Sequence, residues 1–173
     1  REKNRNKELQ RVVPSKGPSP KLDRHGNVHF SIKEIIDQFQ EAKERGLMDH
    51  HSTRHTMSLC MSKVSDQNPE ALDACKALFH DLQQRYTPVI EDYNILMQAY
   101  ARARQGDMVL DVFKQLQSAS IAPIQNTYGT LMRACALRDD AEQARKYFDE
   151  MLAQKLCGDH IAFDHVYDSL KRM

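Results

Sequence analysis

Two stretches of sequence decide the fold: Asp92-Tyr93-Asn94-Ile95-Leu96-Met97 and Thr127-Tyr128-Gly129-Thr130-Leu131-Met132. Their tyrosines, leucines and methionines each lie 35 residues apart. The same interval separates Val112-Phe113 from Tyr147-Phe148, and Tyr128 from Phe163. Because three matches share one interval, the second half of the chain is predicted to be an internal repeat with a period of 35 residues.

Each unit of this repeat is predicted to be two amphipathic helices. The first helix of the clearer unit has one apolar stripe at helical spacing, formed by Tyr93, Leu96, Met97 and Tyr100. Gly106-Asp107 interrupts the pattern, and Asp107 is predicted to cap the second helix. One such pair cannot bury its stripe alone, so neighbouring pairs must stack into a solenoid.

The pattern continues upstream with less regularity. A first helix is predicted from Thr53 to Lys63, and Ser31 with Glu34 forms a capping box for an earlier helix. The predicted fold class is therefore all-α, a helix-turn-helix repeat solenoid of about three repeats plus half-repeats behind an extended basic N-terminal arm. Within residues 30–173 the units are predicted at about 31–50, 51–89, 90–124, 125–159 and 160–173.

The composition excludes several classes of protein and site. Only 40% of the residues are apolar, and no apolar run approaches the roughly 20 residues that span a bilayer. The four cysteines form no C-x-x-C pair, so reduced, buried thiols are expected. His51 and His55 share a helix face, but nothing at matching spacing completes a ligand set, and no metal or other cofactor is predicted. No catalytic pairing stands out, so no enzyme is predicted.

The chain resembles the pentatricopeptide repeat family in four short motifs. These motifs are Tyr93-Asn94-Ile95-Leu96-Met97, Val112-Phe113 with Leu116, Ile121-Ala122-Pro123, and Tyr147-Phe148-Asp149-Glu150-Met151. The likeness covers about 50–173. Tetratricopeptide repeats are the nearest competitor, but their 34-residue period and small first-helix residue fit less well than the interval of 35 and the bulky Tyr100.

The resemblance implies which residues would read RNA. Family members typically work in mitochondria or chloroplasts and bind single-stranded RNA, with one base read per repeat by two or three side chains. Those residues stand just after the opening aromatic and at the end of each unit: Asn94 with Ile124, Gly129 with Asp159, and Asp164. Ile124 cannot hydrogen-bond a base edge and Gly129 has no side chain, so sequence-specific reading is not expected.

The charge of the chain divides at residue 29. The whole chain has a net charge of +1, but residues 1–29 hold eight basic and three acidic side chains, which leaves −4 for residues 30–173. The first segment has few large apolar residues, so it is predicted to be a flexible arm. Its basic residues are predicted to contact the RNA backbone: Arg1, Lys3, Arg5, Lys7, Arg11, Lys16, Lys21 and Arg24.

The last half-unit is predicted to expose an apolar face. Residues 160–173 are long enough for a first helix only, so that helix has no second helix to pack against. A partner protein or further chain is predicted to cover its apolar residues: Ile161, Phe163, Val166, Tyr167 and Leu170.

The leading hypothesis is a non-enzymatic pentatricopeptide protein that serves as a structural, RNA-associated subunit of an organellar ribonucleoprotein, foremost the mitochondrial ribosome. Its repeats would dock other protein subunits and its arm would contact ribosomal RNA or an organellar transcript, with no small-molecule substrate. The mitochondrial matrix is preferred over the chloroplast. Two alternatives stay open: a sequence-specific organellar factor for RNA processing, stability or translation, of which this is a fragment, and a protein scaffold in a complex without RNA.

Overall fold

The computed structural model describes residues 21–22, 28–65 and 68–156. The chain divides between Ser31 and Ile32 into two units, which are described separately. In the first unit, strands β1 (Lys21–Leu22) and β2 (Val28–His29) pair antiparallel. The sequence analysis did not predict this pairing.

The described part of the second unit consists of seven helices. In chain order they are α1 (Ile32–Glu44), α2 (His50–Ser62), α3 (Pro69–Arg85), α4 (Ile90–Arg102), α5 (Gly106–Ser118), α6 (Gln125–Ala136) and α7 (Ala141–Ala153). The predicted all-α repeat solenoid is therefore confirmed. None of these helices is long and apolar enough to cross a membrane.

The helices form hairpins that stack in two layers. Helix α2 pairs with α3, α4 with α5, and α6 with α7. Because α2 also contacts α4, and α4 contacts α6, these three helices form one continuous layer, the A layer. Helices α3, α5 and α7 form the B layer, in which α3 packs on α4 and α5 packs on α6 of the next hairpin. Helix α1 packs against α2 and α3.

The backbone turns repeat with the same 35-residue period. Arg104 and Asp139 adopt positive φ angles of 58° and 53° between the two helices of a hairpin. Ser120 and Lys155 do the same, both at 56°, just after α5 and α7. Each of these two helices ends in a Schellman motif, in which the N–H of Ile121 or Leu156 donates to the carbonyl five residues earlier. The sequence repeat is thus also a repeat of backbone geometry.

The predicted apolar stripes form the core. Leu96 and Met97 are at most 5% exposed, and Met57, Met132 and Met151 are buried as well. The methionine-bearing faces of α2, α4, α6 and α7 therefore belong to the core. The three cysteines within the described residues (Cys60, Cys75 and Cys135) are free and buried. Burial raises the pKa of the Cys75 thiol to about 12, so it stays protonated, as expected for a core residue.

Two predicted helix starts were wrong. Helix α2 begins at His50 rather than Thr53, because the carboxylate of Asp49 accepts the N–H of Ser52 at 2.7 Å and caps the helix earlier. Asp107 does not cap α5, which begins at Gly106. Asp107 lies in the first turn instead, where its carboxylate is 2.9 Å from Nε of Arg138.

Candidate nucleic-acid interface

The exposed face of the A layer carries polar and charged side chains on both α4 and α6. Glu91 and Asn126 are exposed at the start of α4 and α6, 35 residues apart. Arg102 and Arg133 are exposed in the last turns of the same helices. Within the residues that the structure describes, neither arginine is in an ion pair. Two unpaired guanidinium groups therefore stand on neighbouring A helices.

The residues that end the units are apolar and accessible. Val89 immediately precedes α4 and is 37% exposed, and Ile124 immediately precedes α6 and is 39% exposed. Ile124 was predicted to be a reading residue, whereas Val89, 35 residues earlier, was missed. Neither side chain has a hydrogen-bonding group. The ends of two successive units therefore offer apolar contact alone.

Asn94, the predicted reading residue with the most suitable chemistry, lies buried at the boundary between two repeats. Its side chain is 3% exposed, and its amide oxygen accepts a hydrogen bond of 2.8 Å from the hydroxyl of Thr127. Thr127 is itself fully buried, and its hydroxyl oxygen accepts the backbone N–H of Ile124 at 3.1 Å. Gly129 is exposed, and a Cβ built there meets nothing within 4 Å.

Asp92 makes the equivalent contacts one repeat earlier. Its carboxylate accepts the backbone N–H of Val89 at 2.9 Å, which caps α4. The other carboxylate oxygen accepts Nε of Arg54 from α2 at 2.7 Å, and Nε2 of His50 lies 2.8 Å from the first. Asp92 and Thr127, called the junction residues below, thus each cap their own helix and bind the preceding A helix. They define the first junction (α2 with α4) and the second junction (α4 with α6).

The electrostatics of Asp92 follow from this burial and pairing. Burial alone disfavours the carboxylate, whose side chain is fully inaccessible. The hydrogen bonds from Arg54, from the backbone of Val89 and from His50 outweigh that effect, and the pKa of Asp92 is lowered. Sequence reasoning missed both junction residues. The available signal was a polar residue at the third position of α4 and of α6, three residues after an apolar N-cap.

Charge is divided between the two layers. The B helices α3, α5 and α7 hold eight acidic and five basic residues, whereas the A helices α2, α4 and α6 hold two acidic and three basic ones. Because Asp92 is buried and paired, Glu91 is the one exposed acid on the A helices. Towards the net charge of −4 for residues 30–173 the B helices contribute −3, helix α1 contributes −2 and the A helices contribute +1. The net charge therefore does not exclude RNA from the A layer.

Many predicted contact residues lie beyond the part of the chain that the structure describes. Lys21 lies in β1. Outside the described residues lie Arg1, Lys3, Arg5, Lys7, Arg11, Lys16, Arg24, Asp159, Ile161, Phe163, Asp164, Val166, Tyr167 and Leu170. Their roles stay predictions. Among the described side chains, no group of three or more His, Cys, Asp or Glu is placed to hold a metal ion.

Comparison with known proteins agrees with the repeat seen in the sequence. A family model described as PPR repeat family matches residues 88–137, and one described as PPR repeat matches residues 126–156. A pentatricopeptide repeat-containing protein of Arabidopsis thaliana is 29% identical over 65 residues, which are 38% of this chain and 11% of that protein. The chain therefore spans a small part of the curated relative that it matches.

Solved structures share the fold. The PPR domain of Arabidopsis thaliana protein-only RNase P 1, in complex with tRNA, superposes with a TM-score of 0.61 at 17% identity over 82% of this chain and 79% of that chain. The pentatricopeptide repeat protein PPR10, in complex with an 18-nucleotide psaJ RNA element, gives a TM-score of 0.65 at 18% identity over 80% of this chain and 20% of that chain. At such identities the likeness is one of fold.

Proposed function

We propose a function from the premise that this chain is a member of the pentatricopeptide repeat family: it binds single-stranded RNA on the exposed face of the A layer and carries out no chemistry on it. The observation that carries the proposal is the division of charge between the layers. RNA affinity comes chiefly from Lys and Arg that neutralise phosphates. Arg102 and Arg133 are exposed on the less acidic layer, whereas eight of the fourteen acids on the seven helices lie on the B layer.

Two of the structures with the same fold add support. The PPR domain of the protein-only RNase P 1 was solved with tRNA and PPR10 with an RNA element, so a solenoid of this shape is suited to RNA. Val89 and Ile124 are exposed at the starts of α4 and α6, the helices that carry the two arginines. Their apolar side chains provide surface against which bases can pack.

The finer proposal concerns the assembly and its location. We propose a structural subunit of an organellar ribonucleoprotein, foremost the mitochondrial ribosome, in the mitochondrial matrix. The basic residues of segment 1–29 would give a second RNA contact, and the acidic B layer would face protein subunits rather than phosphates. Sucrose-gradient sedimentation of mitochondrial extracts tests this: the protein should migrate with a ribosomal subunit, and migration as a free protein would refute the ribosomal role.

RNA binding itself is tested by fluorescence anisotropy with labelled single-stranded RNA across a salt series. The double variant Arg102→Ala/Arg133→Ala should weaken binding about tenfold and lower the salt slope by about 1.4, because two contacts to single-strand phosphates are lost. The matched control, Lys114→Ala/Arg145→Ala, removes two exposed positive charges from the B layer and should change affinity less than about twofold.

Three outcomes distinguish the sites. Loss of affinity in the A-layer variant alone supports the proposal. Equal losses in both variants indicate non-specific charge attraction and contradict it. Loss only on deletion of residues 1–29, with the A-layer variant unchanged, places the RNA on the arm and refutes the A-layer interface.

A further inference from the structure

We infer that the junction residue Thr127 withholds the side chain of Asn94 from RNA, so that the second junction binds single-stranded RNA without discriminating its bases, and that Asp92 positions Arg54 by the same contact at the first junction. This inference rests on the proposed function. It names Asp92 and Thr127 as positioning residues for Arg54 and Asn94, the fifth residues of α2 and α4.

At the second junction the hydrogen-bonding capacity of Thr127 is committed. A hydroxyl has one proton, and that of Thr127 is donated to the amide oxygen of Asn94 at 2.8 Å. The same hydroxyl accepts the N–H of Ile124, so rotating it away would leave a helix cap unmade. Asn94 is 3% exposed, and its oxygen faces the next repeat instead of solvent. A base edge cannot replace Thr127 without opening the repeat boundary.

At the first junction the same geometry uses charge. Arg54 is bound through Nε to Asp92, which is fully buried and already caps α4. Release of Arg54 to a phosphate or a base edge would leave the buried carboxylate short of its principal partner. Two chemically different pairs, 38 and 33 residues apart in sequence, thus make the same contact between successive A helices.

The second reading position of each junction cannot compensate. Val89 and Ile124 are exposed but have only hydrocarbon side chains. They can pack against a base and cannot distinguish one Watson–Crick edge from another. The second junction therefore combines a withheld amide with an apolar contact, whereas at the first junction Arg54, 26% exposed, is bound to Asp92 through Nε alone. Affinity at the second junction depends on stacking and on phosphates.

A double-mutant cycle on the full chain tests the inference. The quantity measured is the ratio of the dissociation constants for labelled oligo(A) and oligo(U) at one salt concentration. Asn94→Ala in the otherwise native chain should leave this ratio unchanged within twofold, because Asn94 does not reach RNA. Thr127→Val removes the hydroxyl at similar volume, and in that background Asn94→Ala should change the ratio at least threefold. Thr127→Ser keeps the hydroxyl and should behave as the native chain.

The matched control is Thr130→Val. Thr130 is another buried threonine of α6, but its hydroxyl donates to the backbone oxygen of Asn126 in its own helix. Asn94→Ala should therefore leave the ratio of dissociation constants unchanged in this background. A ratio that changes with Asn94→Ala in the native chain would show that Asn94 reads bases and would overturn the inference. A ratio that Asn94→Ala leaves unchanged in both the native and the Thr127→Val background, with all variants folded, would overturn the inference as well.

These results can be told apart from failure of the proposed function. If neither the native chain nor any variant binds single-stranded RNA, the proposed function fails, and the inference fails with it. If binding is present and base preference follows Asn94, the function stands and only the inference fails. If Thr127→Val does not fold, the native-background comparison with Asn94→Ala still decides whether Asn94 reads bases.

Discussion

The first and second junctions use the same position of the repeat with different chemistry. In both, the third residue of an A helix accepts the N–H of its own N-cap residue and binds the preceding A helix. Asp92 does this as a buried carboxylate with Arg54 and His50, whereas Thr127 does it as a neutral hydroxyl with Asn94. The repeat boundary therefore requires an acceptor at this position, and the charge is optional.

The charge changes what each junction contributes. Removing either partner of a buried carboxylate ion pair is strongly destabilising, because the remaining charge is left uncompensated. A neutral hydrogen bond contributes about 0.5–1.5 kcal/mol. We therefore expect the first junction to be the more sensitive to substitution and to pH, and the second to tolerate both.

The largest effect is expected for Asp92→Ala. The change removes the cap of α4 and leaves Arg54 and His50, about a quarter exposed, without their acceptor. We expect the free energy of unfolding to fall by about 3 kcal/mol in urea denaturation. The control is Asp73→Ala, which removes an acid whose side chain is 70% exposed and should cost less than about 0.5 kcal/mol. Similar losses in the two variants would contradict a special role for the first junction.

The next effect concerns the packing of α5 on α6, beside the second junction. A Cβ at Gly106 would lie 2.8 Å from the carbonyl oxygen of Ala134, a backbone atom that cannot rotate away. Gly106→Ala should therefore destabilise the protein by about 2 kcal/mol. Gly129→Ala is the control, because its Cβ meets nothing within 4 Å and helix propensity should make it stabilising by about 0.5–1 kcal/mol. Calorimetric melting temperatures of opposite shift would support the difference, and equal shifts would refute it.

The pH dependence should also distinguish the junctions. The pKa of Asp92 is lowered from its ordinary value of 3.8 in the folded protein. Its stabilising contribution is therefore complete above that value and is lost as the pH falls through the folded pKa. Asp92→Asn should be less stable than the native chain at pH 7 and should lose less stability on acidification. Asp81, whose pKa is also lowered, contributes to the remaining slope. Parallel urea-midpoint curves from neutral to acid pH would contradict the assignment to Asp92.

Thr127→Val should have a smaller effect than Asp92→Ala. It removes a cap and one buried hydrogen bond without leaving a charge unpaired, so we expect a loss of about 1–2 kcal/mol. Thr130→Val, with its hydroxyl bonded inside α6, should lose less than about 1 kcal/mol. Guanidinium denaturation at neutral pH measures both. A loss for Thr127→Val as large as that for Asp92→Ala would show that the neutral junction is no more tolerant than the charged one.

The periodic part of the structure could be predicted from the sequence, and its junctions could not. The 35-residue interval and the apolar stripes were enough to predict the hairpins of α4 to α7 and their core. The start of α2 was mispredicted because it depends on one local contact, the cap at Asp49. The start of α5 was mispredicted because the helix begins at Gly106 without a side-chain cap. Asn94 looks like a surface residue in sequence, and its burial depends on the register between stacked A helices.

The distribution of charge between the two layers could not be predicted from the sequence for the same reason. The sequence shows a net charge of −4 over residues 30–173, but which acids share a surface depends on how the hairpins stack. From this net charge the basic arm, and not the repeats, was predicted to contact RNA. The stacked helices instead separate an acidic B layer from an A layer with two exposed, unpaired arginines.

The smallest effect is expected where the contact between α5 and α6 reaches the surface. Arg138, in the turn between α6 and α7, pairs with Asp107 of α5 at 2.9 Å, but Asp107 is 82% exposed. Water and salt screen such a pair, so Arg138→Ala should change the free energy of unfolding by less than about 0.5 kcal/mol, and added salt should remove the difference. Urea denaturation at low and high salt measures this. A larger, salt-resistant loss would mean that Arg138 supports the close approach at Gly106 through its methylenes, which lie 3.1–3.3 Å from the position of a Cβ there. In that case the double variant Gly106→Ala/Arg138→Ala should be more stable than the sum of the two single losses predicts, because both changes act on one contact.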